Sequence, residues 1–411
     1  MWNYGSLPGD WTVKKIGEYA SIITDYVANG SFASLAQNVE YKSTPDYAVL
    51  IRLTDYNNGF NGEFVYIDKH AYEFLAKSKL FGGEIIISNV GANVGTVFRC
   101  PYLDIHMSLA PNAIMLKTQG NDDFYYYWFL SRNGQHSLKS IVTGSAQPKF
   151  NKTNFRDLLV PVPPRIVQNK IAEYLSNIDK KIELNKRINE NLAEQAQGIL
   201  YHFMDEQPYQ LQPLSDIAIV IDCLHSKKPS SIEDSPYQLI QLDNIRDDGF
   251  LDMSATRYMI SQVDYDNWTR KCEIVEGDCV ITNVGRIGAV SQAPHGTKAA
   301  MGRNMTCIRL KPDIKLQAYF ITVLLSNHMR RQIQSNTDEG TIMGALNVKN
   351  IPKLLFPIFE PSVMTELEEV LFPLRKQIEY NNLQNQTLAQ LRDILLPKLM
   401  SGELDVSNLD L

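Results

Sequence analysis

The sequence predicts an α+β protein in which two tandem, related domains of mixed α/β structure are joined by two long helices. Three observations support this: the chain repeats itself, each repeat places short apolar strands between glycine- and asparagine-containing turns, and each repeat ends in a long periodic segment. A chain of 411 residues can bury more than one core. We expect domain 1 at residues 1–160, a central spacer helix at 161–205, domain 2 at 206–356, and a C-terminal spacer helix with a tail at 357–411.

The repeat is visible as matches that keep their order and nearly their spacing. The second half restates the first at an offset of roughly 190 to 198 residues. The matching segments are 51–60 with 240–250, 83–91 with 277–285, and 151–161 with 347–357. In the first copy, apolar runs predict strands near 48–53, 84–88 and 113–116, followed by a helix near 123–139.

Each repeat is followed by a proline cluster and then by a heptad-like segment. The prolines at 161–164 and 357–361 mark helix entrances, because proline is tolerated in the first turn of a helix but not in its interior. Apolar side chains then recur at alternating three- and four-residue spacing, as in a coiled coil. Both seams carry two central asparagines, namely Asn185, Asn189, Asn381 and Asn385. If the helices run antiparallel, these asparagines meet and fix the register; alternatively, each amphipathic helix packs only on its own domain.

Composition and charge limit the class of protein. The chain is 44% hydrophobic and 21% charged, which is typical of soluble globular proteins. The first ten residues have no basic flank or apolar core, and no apolar run is long enough to span a membrane, so we expect a cytoplasmic protein. The five cysteines are scattered and form no Cys-x-x-Cys pair, which predicts buried reduced thiols and no metal site.

The chain lacks the sequence signatures of common catalytic sites. It has no Gly-x-Gly-x-x-Gly after a strand, no phosphate-binding Gly-x-x-x-x-Gly-Lys-Ser/Thr, no His-Glu-x-x-His and no Gly-x-Ser-x-Gly. We therefore predict a non-catalytic chain. Its net charge of −6 arises from an acidic C-terminal segment, so both domains are near neutral and nucleic-acid binding is not excluded.

Three segments carry a resemblance to a known family. Residues 160–185 (VPVPPRIVQNKIAEYLSNIDKKIELN) and 391–404 (LRDILLPKLMSGEL) resemble the helix regions of type I restriction–modification specificity subunits. Residues 84–95 (EIIISNVGANVG) are similar to the turn region of that family's target-recognition domains. The resemblance covers essentially the whole chain, although the second copy departs from it, with Met364 where the first has Gln168.

The resemblance implies a function and a set of partners. Each domain would read one half of a bipartite site in double-stranded DNA, and the helices would act as a ruler. Two modification subunits would methylate adenine with S-adenosylmethionine, and restriction subunits would use ATP and Mg²⁺, so this chain itself would hold no cofactor. We expect Lys180, Lys181 and Arg187 on the outward face of the first long helix to contact a partner. The alternative is a structural adaptor with two ligand-binding domains on a coiled coil and no role in DNA binding.

Base reading requires polar side chains on loops that can reach the groove edges. The candidates are Asn89, Asn93, Gln147, Lys149, Asn151, Lys152, Asn283, Arg286, Arg303 and Asn304. For each of them, ordinary turn hydrogen bonding competes with base contact as an interpretation. Asn89 and Asn283 occur in both copies, which favours a structural role. Gln147 and Lys149 correspond to Met343 and Ala345 in the second copy. They are better candidates, because two domains that read different DNA sequences must differ in the side chains that contact the bases.

Overall fold

The computed structural model describes residues 7–338 and 344–406, which form two compact units. The first unit contains residues 7–180 together with 389–406, and the second contains 181–338 together with 344–388. Both units mix strands and helices, and the order of their elements repeats. The α+β fold class predicted from the sequence is confirmed.

The first unit is built from short strands and mostly short helices. Its strands are β1 (Thr12–Lys15), β2 (Ala20–Asp25), β3 (Ala48–Ile51), β4 (Val65–Ile67), β5 (Lys79–Leu80), β6 (Ile85–Ser88), β7 (Val97–Arg99), β8 (His106–Leu109), β9 (Ala113–Thr118) and β10 (Leu159–Val162). Its helices are α1 (Ile16–Tyr19), α2 (Phe32–Asn38), α3 (Leu53–Asn57), α4 (Lys69–Phe74), α5 (Asp122–Leu130), α6 (Arg132–Ser140) and α7 (Lys152–Arg156), with one-turn 3-10 helices at Tyr26–Asn29 and Ala76–Ser78. A long helix, α8 (Arg165–Glu206), begins here.

The second unit repeats this order. Its strands are β11 (Tyr209–Pro213), β12 (Ala218–Asp222), β13 (Tyr237–Ile240), β14 (Met259–Ile260), β15 (Glu273–Val275), β16 (Cys279–Thr282), β17 (Val290–Gln292), β18 (Lys298–Met301), β19 (Met305–Leu310), β20 (Thr337–Asp338), β21 (Ala345–Leu346) and β22 (Leu355–Phe359). Its helices are α9 (Gln262–Trp268), α10 (Gln317–Leu324) and α11 (Asn327–Ser335), with 3-10 helices at Leu214–Asp216, Leu242–Asn244 and Val348–Lys353. The second long helix, α12 (Pro361–Ser401), follows.

Sheet topology is the same in both units. The first has an antiparallel sheet in the order β2-β9-β6-β7 and a mixed sheet in the order β4-β3-β8-β5, in which β3 and β8 are parallel. The second has β12-β19-β16-β17 and β14-β13-β18-β15, with β13 and β18 parallel. Antiparallel pairs β1–β10 and β11–β22 join the start of each repeat to the strand before its long helix.

The long helices begin where the prolines predicted. Helix α8 starts directly after Pro164, and α12 starts at Pro361, where a missing backbone N–H leaves no hydrogen bond unmade. Each end of each helix contributes to a core. Ile171 and Leu175 of α8 lie in the core of the first unit with Leu399 and Met400 of α12. In the second unit, Ala196 and Leu200 of α8 share a core with Leu367 and Leu371 of α12.

The prediction of one helix near residues 123–139 is wrong, because the chain breaks it at Ser131. The backbone of Ser131 is extended (φ −63°, ψ 159°), which ends α5. Its Oγ accepts a hydrogen bond from the N–H of Gly134 at 3.2 Å and so caps α6. Serine is among the preferred residues at this position, since its hydroxyl satisfies a backbone donor that the helix leaves free.

Over the described residues, no helix combines the length and the apolar content that crossing a bilayer requires. All five cysteines are buried free thiols. Burial raises the pKa of the Cys100 and Cys279 thiols well above their ordinary value. These two side chains are therefore neutral, unreactive parts of the core, in line with the reading of the cysteines as reduced thiols.

Candidate functional site

Three loops of the first unit meet at the end of strand β6. The N–H of Asn89 donates to the carbonyl of Asn112 at 3.0 Å, and the Asn89 carbonyl accepts from the N–H of Phe150 at 3.0 Å. The N–H of Gly91 donates to the Pro148 carbonyl at 2.9 Å. These backbone bonds bring together the turn at 89–95, the residues before β9, and the hairpin at 143–149.

The second unit has the same backbone arrangement. The N–H of Asn283 donates to the Asn304 carbonyl at 2.8 Å, and the N–H of Leu346 donates to the Asn283 carbonyl at 2.8 Å. Val284 pairs with Ala345, as Val90 pairs with Lys149 in the first unit. We call this arrangement the three-loop frame: residues 89–95, 111–112 and 143–150 in the first unit, and 283–288, 303–304 and 345–346 in the second.

Asn89 and Asn283 hold the frame together from inside. Nδ2 of Asn89 donates to the Phe150 carbonyl at 3.1 Å. The Asn283 side chain is 6% exposed, and its Nδ2 donates to Oγ1 of Thr306 at 2.9 Å. These contacts favour the structural role for both asparagines over base reading, because each amide nitrogen already donates within its unit.

Asn151 and Lys152 also have partners within the first unit. Oδ1 of Asn151 accepts from the N–H of Asn154 at 2.8 Å and caps helix α7. Nζ of Lys152 lies 2.8 Å from Oδ1 of Asp25, a side chain that is only 12% exposed. The charge of Lys152 is thus matched by a carboxylate, so it adds little attraction for a phosphate.

The remaining candidates of the first unit are exposed on the frame. Asn93 lies in the turn after β6, and Gln147 and Lys149 lie on the hairpin, where Thr143 pairs with Lys149. Gly144 turns the hairpin with a φ of 86°, a conformation that favours glycine. The hairpin therefore displays Gln147 and Lys149 to solvent on a defined backbone.

In the second unit the exposed candidates are cationic or amide side chains. Arg303 and Asn304 are both exposed, and Asn304 has a φ of 63°. Arg286 is half exposed; its Nη1 lies 3.1 Å from Oδ2 of Asp247, and it donates to the carbonyl of Ile245. Met343, the counterpart of Gln147 in the repeat, lies outside the described residues.

The sequence analysis missed Asn112, which occupies the frame position of Asn304. It is exposed and has a φ of 69°. Positive φ at a residue other than glycine is uncommon and is enriched in asparagine. The repeat could have revealed Asn112, since Asn112 and Asn304 each come directly before a buried strand of their copy. Asn112 also borders a cavity of about 490 Å³ that exposed Phe32 and Tyr41 line.

The seam asparagines pair within the second unit. Nδ2 of Asn185 donates to Oδ1 of Asn385 and to Oε1 of Gln384, each at 2.8 Å. Nδ2 of Asn381 donates to Oδ1 of Asn189 at 2.8 Å. Residue numbers increase along α8 while those of their partners decrease along α12. The two helices are therefore antiparallel, as the sequence predicts. Buried asparagines are stable only when so paired, which fixes the register.

The predicted partner-binding residues are exposed on α8. Lys180 belongs to the first unit and Lys181 and Arg187 to the second. Nε of Arg187 lies 3.3 Å from Oε1 of Glu183 one turn earlier, and that arginine side chain is 74% exposed. Surface pairs of this kind are worth little, so the arginine remains available to another chain.

Two clusters of the described residues bring metal-ligating atoms together: Asp222, Cys223 and His225, of which the histidine is exposed, and a buried second cluster. Cys272, Asp278 and Cys307 offer ligand atoms within 4.8 Å of one another, and all three are buried. Arg309 donates to both oxygens of Asp278, at 2.7 and 2.6 Å. A guanidinium in this position already neutralises the carboxylate and would repel a cation. The absence of a metal site remains a prediction from the sequence.

The fold and the three-loop frame define a tandem-domain protein in which each unit displays different side chains on a common backbone. Residues 8–194 match the family described as type I restriction modification DNA specificity domain. The MjaIX type I restriction enzyme specificity subunit of Methanocaldococcus jannaschii is 22% identical over 98% of this chain and 96% of its own length. The HindI type I restriction enzyme specificity subunit of Haemophilus influenzae is 21% identical over 72% of this chain and 80% of its own length.

A solved structure shares the fold. The S subunit of a type I restriction–modification system from M. genitalium aligns with a TM-score of 0.54 at 14% identity, covering 97% of this chain and 98% of that one. The resemblance found in the sequence is confirmed: residues 8–194 match the DNA specificity domain of type I restriction modification systems, and a type I specificity subunit aligns along nearly the whole chain.

Proposed function

We propose that this chain reads a bipartite site in double-stranded DNA, one half with each unit, and recruits the subunits that act on it. The observation that carries the proposal is the three-loop frame. Both units keep the asparagine that holds it together, whereas the side chains displayed on it differ. A reader of two different half-sites needs this combination of a constant scaffold and variable contacts.

The displayed side chains have the chemistry of base recognition. Asn93, Asn112 and Gln147 are amides that can pair with adenine in the major groove, and Lys149 can donate to guanine. In the second unit, Arg303 and Asn304 take the exposed positions, and Ala345 stands where the first unit has Lys149. The two units should therefore recognise different sequences.

The long helices give the partners a place to bind. Exposed Lys180, Lys181 and Arg187 supply charge on α8, and Leu184 and Ile188 are 52% and 37% exposed on the same helix. Apolar side chains left exposed beside charged ones are typical of protein interfaces. We propose that two modification subunits bind along these helices and bring S-adenosylmethionine, while restriction subunits bring ATP and Mg²⁺. This chain would then perform no catalysis of its own.

The test is methylome sequencing of cells that express the chain with its modification subunit. The double variant Gln147→Ala/Lys149→Ala should lose or relax specificity at one half-site and leave the other unchanged, because these residues belong to one frame. Each lost base contact should cost about 1 to 3 kcal/mol of discrimination. Lys77→Ala, an exposed lysine of the same unit outside the frame, is the matched control.

Two results would reject this proposal. If the wild-type complex methylates DNA without a defined sequence, or if the purified complex binds specific and random duplexes equally, the adaptor interpretation is favoured. If the double variant methylates the wild-type site at the wild-type level, the hairpin is not part of the reading surface.

A further inference from the structure

The second unit contains a cavity that none of the residues of its three-loop frame lines. Its volume is about 520 Å³, within the range of small-molecule sites. Residues at strand ends and at the start of α10 form one wall, and about two turns of α12 form the other. The residues that matter here are Gly249, Phe250, Glu276, Phe372, Arg375 and Glu379.

Arg375 is a charged side chain of this cavity that lacks a direct partner. Among the residues that the structure describes, none forms a hydrogen bond or an ion pair with its guanidinium. The nearby carboxylates are engaged elsewhere. Oε2 of Glu379 lies 3.0 Å from Nζ of Lys376, and Oε2 of Glu276 lies 2.7 Å from Nδ1 of His295.

A third carboxylate, Asp248, is also occupied. Its Oδ2 lies 2.5 Å from Nη2 of Arg246, and its Oδ1 accepts from the N–H of Phe250 at 3.0 Å. Gly249 brings the backbone close to Arg375: a Cβ on this glycine would lie 3.0 Å from Nη2. The guanidinium is thus held against the cavity wall, attracted by Asp248 and Glu379 but in direct contact with neither carboxylate.

The first unit shows what this position normally holds. The residue of α8 that corresponds to Arg375 is Asp179, at an offset of 196 residues along the two seams. Oδ1 of Asp179 lies 2.9 Å from Nη1 of Arg392, and its Oδ2 accepts from the Tyr127 hydroxyl at 2.6 Å. The first unit therefore has a complete arginine–carboxylate pair at this place.

In the second unit the equivalent pair is incomplete. The position that corresponds to Arg392 is Ala196, and the position that corresponds to Tyr127 is Ile321. Both are buried and neither has a side-chain polar group. Arg375 takes the place of the carboxylate and Ala196 takes the place of the arginine, so the ion pair of the first unit cannot form, and a cavity lies beside Arg375.

We propose that this cavity binds a small organic carboxylate, whose carboxyl group pairs with Arg375 while its apolar body contacts Phe250 and Phe372. A planar guanidinium binds a carboxylate through two parallel hydrogen bonds. A monoanion can pair with the guanidinium, whereas the second charge of a dianion would be repelled by Glu276 and Glu379. This site is independent of DNA reading.

The cost of keeping Arg375 supports a binding role. A charge removed from water without a partner destabilises the fold. Burial lowers the pKa of the Arg375 guanidinium from its ordinary value, which has the same physical origin. A side chain that served the fold alone would be paired, as Asp179 is.

The experiment uses the full chain and three probes: benzoate, its neutral analogue benzamide, and phenyl phosphate. Isothermal titration should show saturable binding of benzoate to the wild type and to Lys376→Gln, the matched loss of a neighbouring positive charge. Arg375→Gln should weaken benzoate binding by at least about tenfold, and benzamide should bind the wild type at least about tenfold more weakly than benzoate.

Each other result overturns the proposal. Absence of saturable benzoate binding to the wild type, equal binding of benzamide, or a smaller effect of Arg375→Gln would remove the carboxylate site. Tighter binding of phenyl phosphate than of benzoate would reject the carboxylate class. Thermal unfolding without a probe gives a second measurement: Arg375→Gln should unfold at the same or a higher temperature, and a lower one would assign Arg375 a structural role instead.

Discussion

Asn89 and Asn283 occupy the same place in the two units; the amide of Asn89 donates to the Phe150 carbonyl, and that of Asn283 donates to the Thr306 hydroxyl of β19. The side chains around them are different and exposed. At the scale of single residues, identity between the copies thus marks the scaffold, and difference marks the surface that can carry specificity. Asn112 and Asn304 lie between these cases, because their positive φ is structural while their exposed amides remain free to contact DNA.

Asn283→Ala should lower the free energy of unfolding by about 1 to 3 kcal/mol, because it leaves the buried Thr306 hydroxyl without its partner. Asn93→Ala, at an exposed frame position, should change it by less than about 0.5 kcal/mol and should instead weaken specific DNA binding. Urea unfolding and fluorescence anisotropy with a duplex measure the two effects. Equal stability of the two variants would contradict the division between scaffold and surface.

At the scale of elements, the seam of α8 and α12 depends on polar pairs in an otherwise apolar contact. Asn189 accepts from Asn381, and Asn185 donates to Asn385. An apolar seam would pack at several alignments, whereas amide pairs are satisfied at one. The asparagines therefore determine how the helices align, at some loss of stability.

The single variant Asn189→Leu should destabilise the chain by about 1 to 3 kcal/mol, because Asn381 is then buried without its acceptor. The double variant Asn189→Leu/Asn381→Leu should recover that loss, since two apolar side chains leave no unmet hydrogen bond. Asn177→Leu, at an exposed position of α8, serves as the control. A double-mutant cycle in urea measures the coupling, and strictly additive effects would mean that the pair does not interact.

Charge reversal on α8 tests the partner surface. Lys180→Glu, Lys181→Glu and Arg187→Glu together should reduce co-purification of the modification subunit, because exposed charges contribute to docking of a complementary surface. The variant should stay folded, since none of these side chains is buried. Co-purification at the wild-type level, with unfolding unchanged, would place the partner surface elsewhere.

At the scale of the whole molecule, the compact units do not follow the order of the chain. The first unit includes residues 389–406, whose Leu399 and Met400 share a core with Trp11 and Leu175. Gly402 also lies against Pro8, where an added Cβ would approach to 2.4 Å. Both described ends of the chain therefore stabilise the same unit.

This arrangement sharpens a test of modularity. Replacing residues 1–160 with the same region of a relative should change one half-site of the methylated sequence and leave the other intact. The donor should keep apolar side chains against Leu175, Leu399 and Met400, because these remain from the recipient. Methylome sequencing reads the outcome, and a change of both half-sites would show that the two units read jointly.

The sequence by itself determined the duplication, the α+β class and the helix entrances at the prolines, and it predicted the antiparallel pairing of the asparagines as one of two alternatives. These features are local or periodic, so residue spacing is enough to reveal them. Tertiary structure decided which polar residues face inward, as with Asn283 and with Lys152, whose partner Asp25 lies 127 residues away. It also decided that residues 389–406 complete the first unit and that, among the described residues, no carboxylate forms an ion pair with Arg375. Such outcomes depend on which distant groups packing brings together, and periodicity carries no information about them.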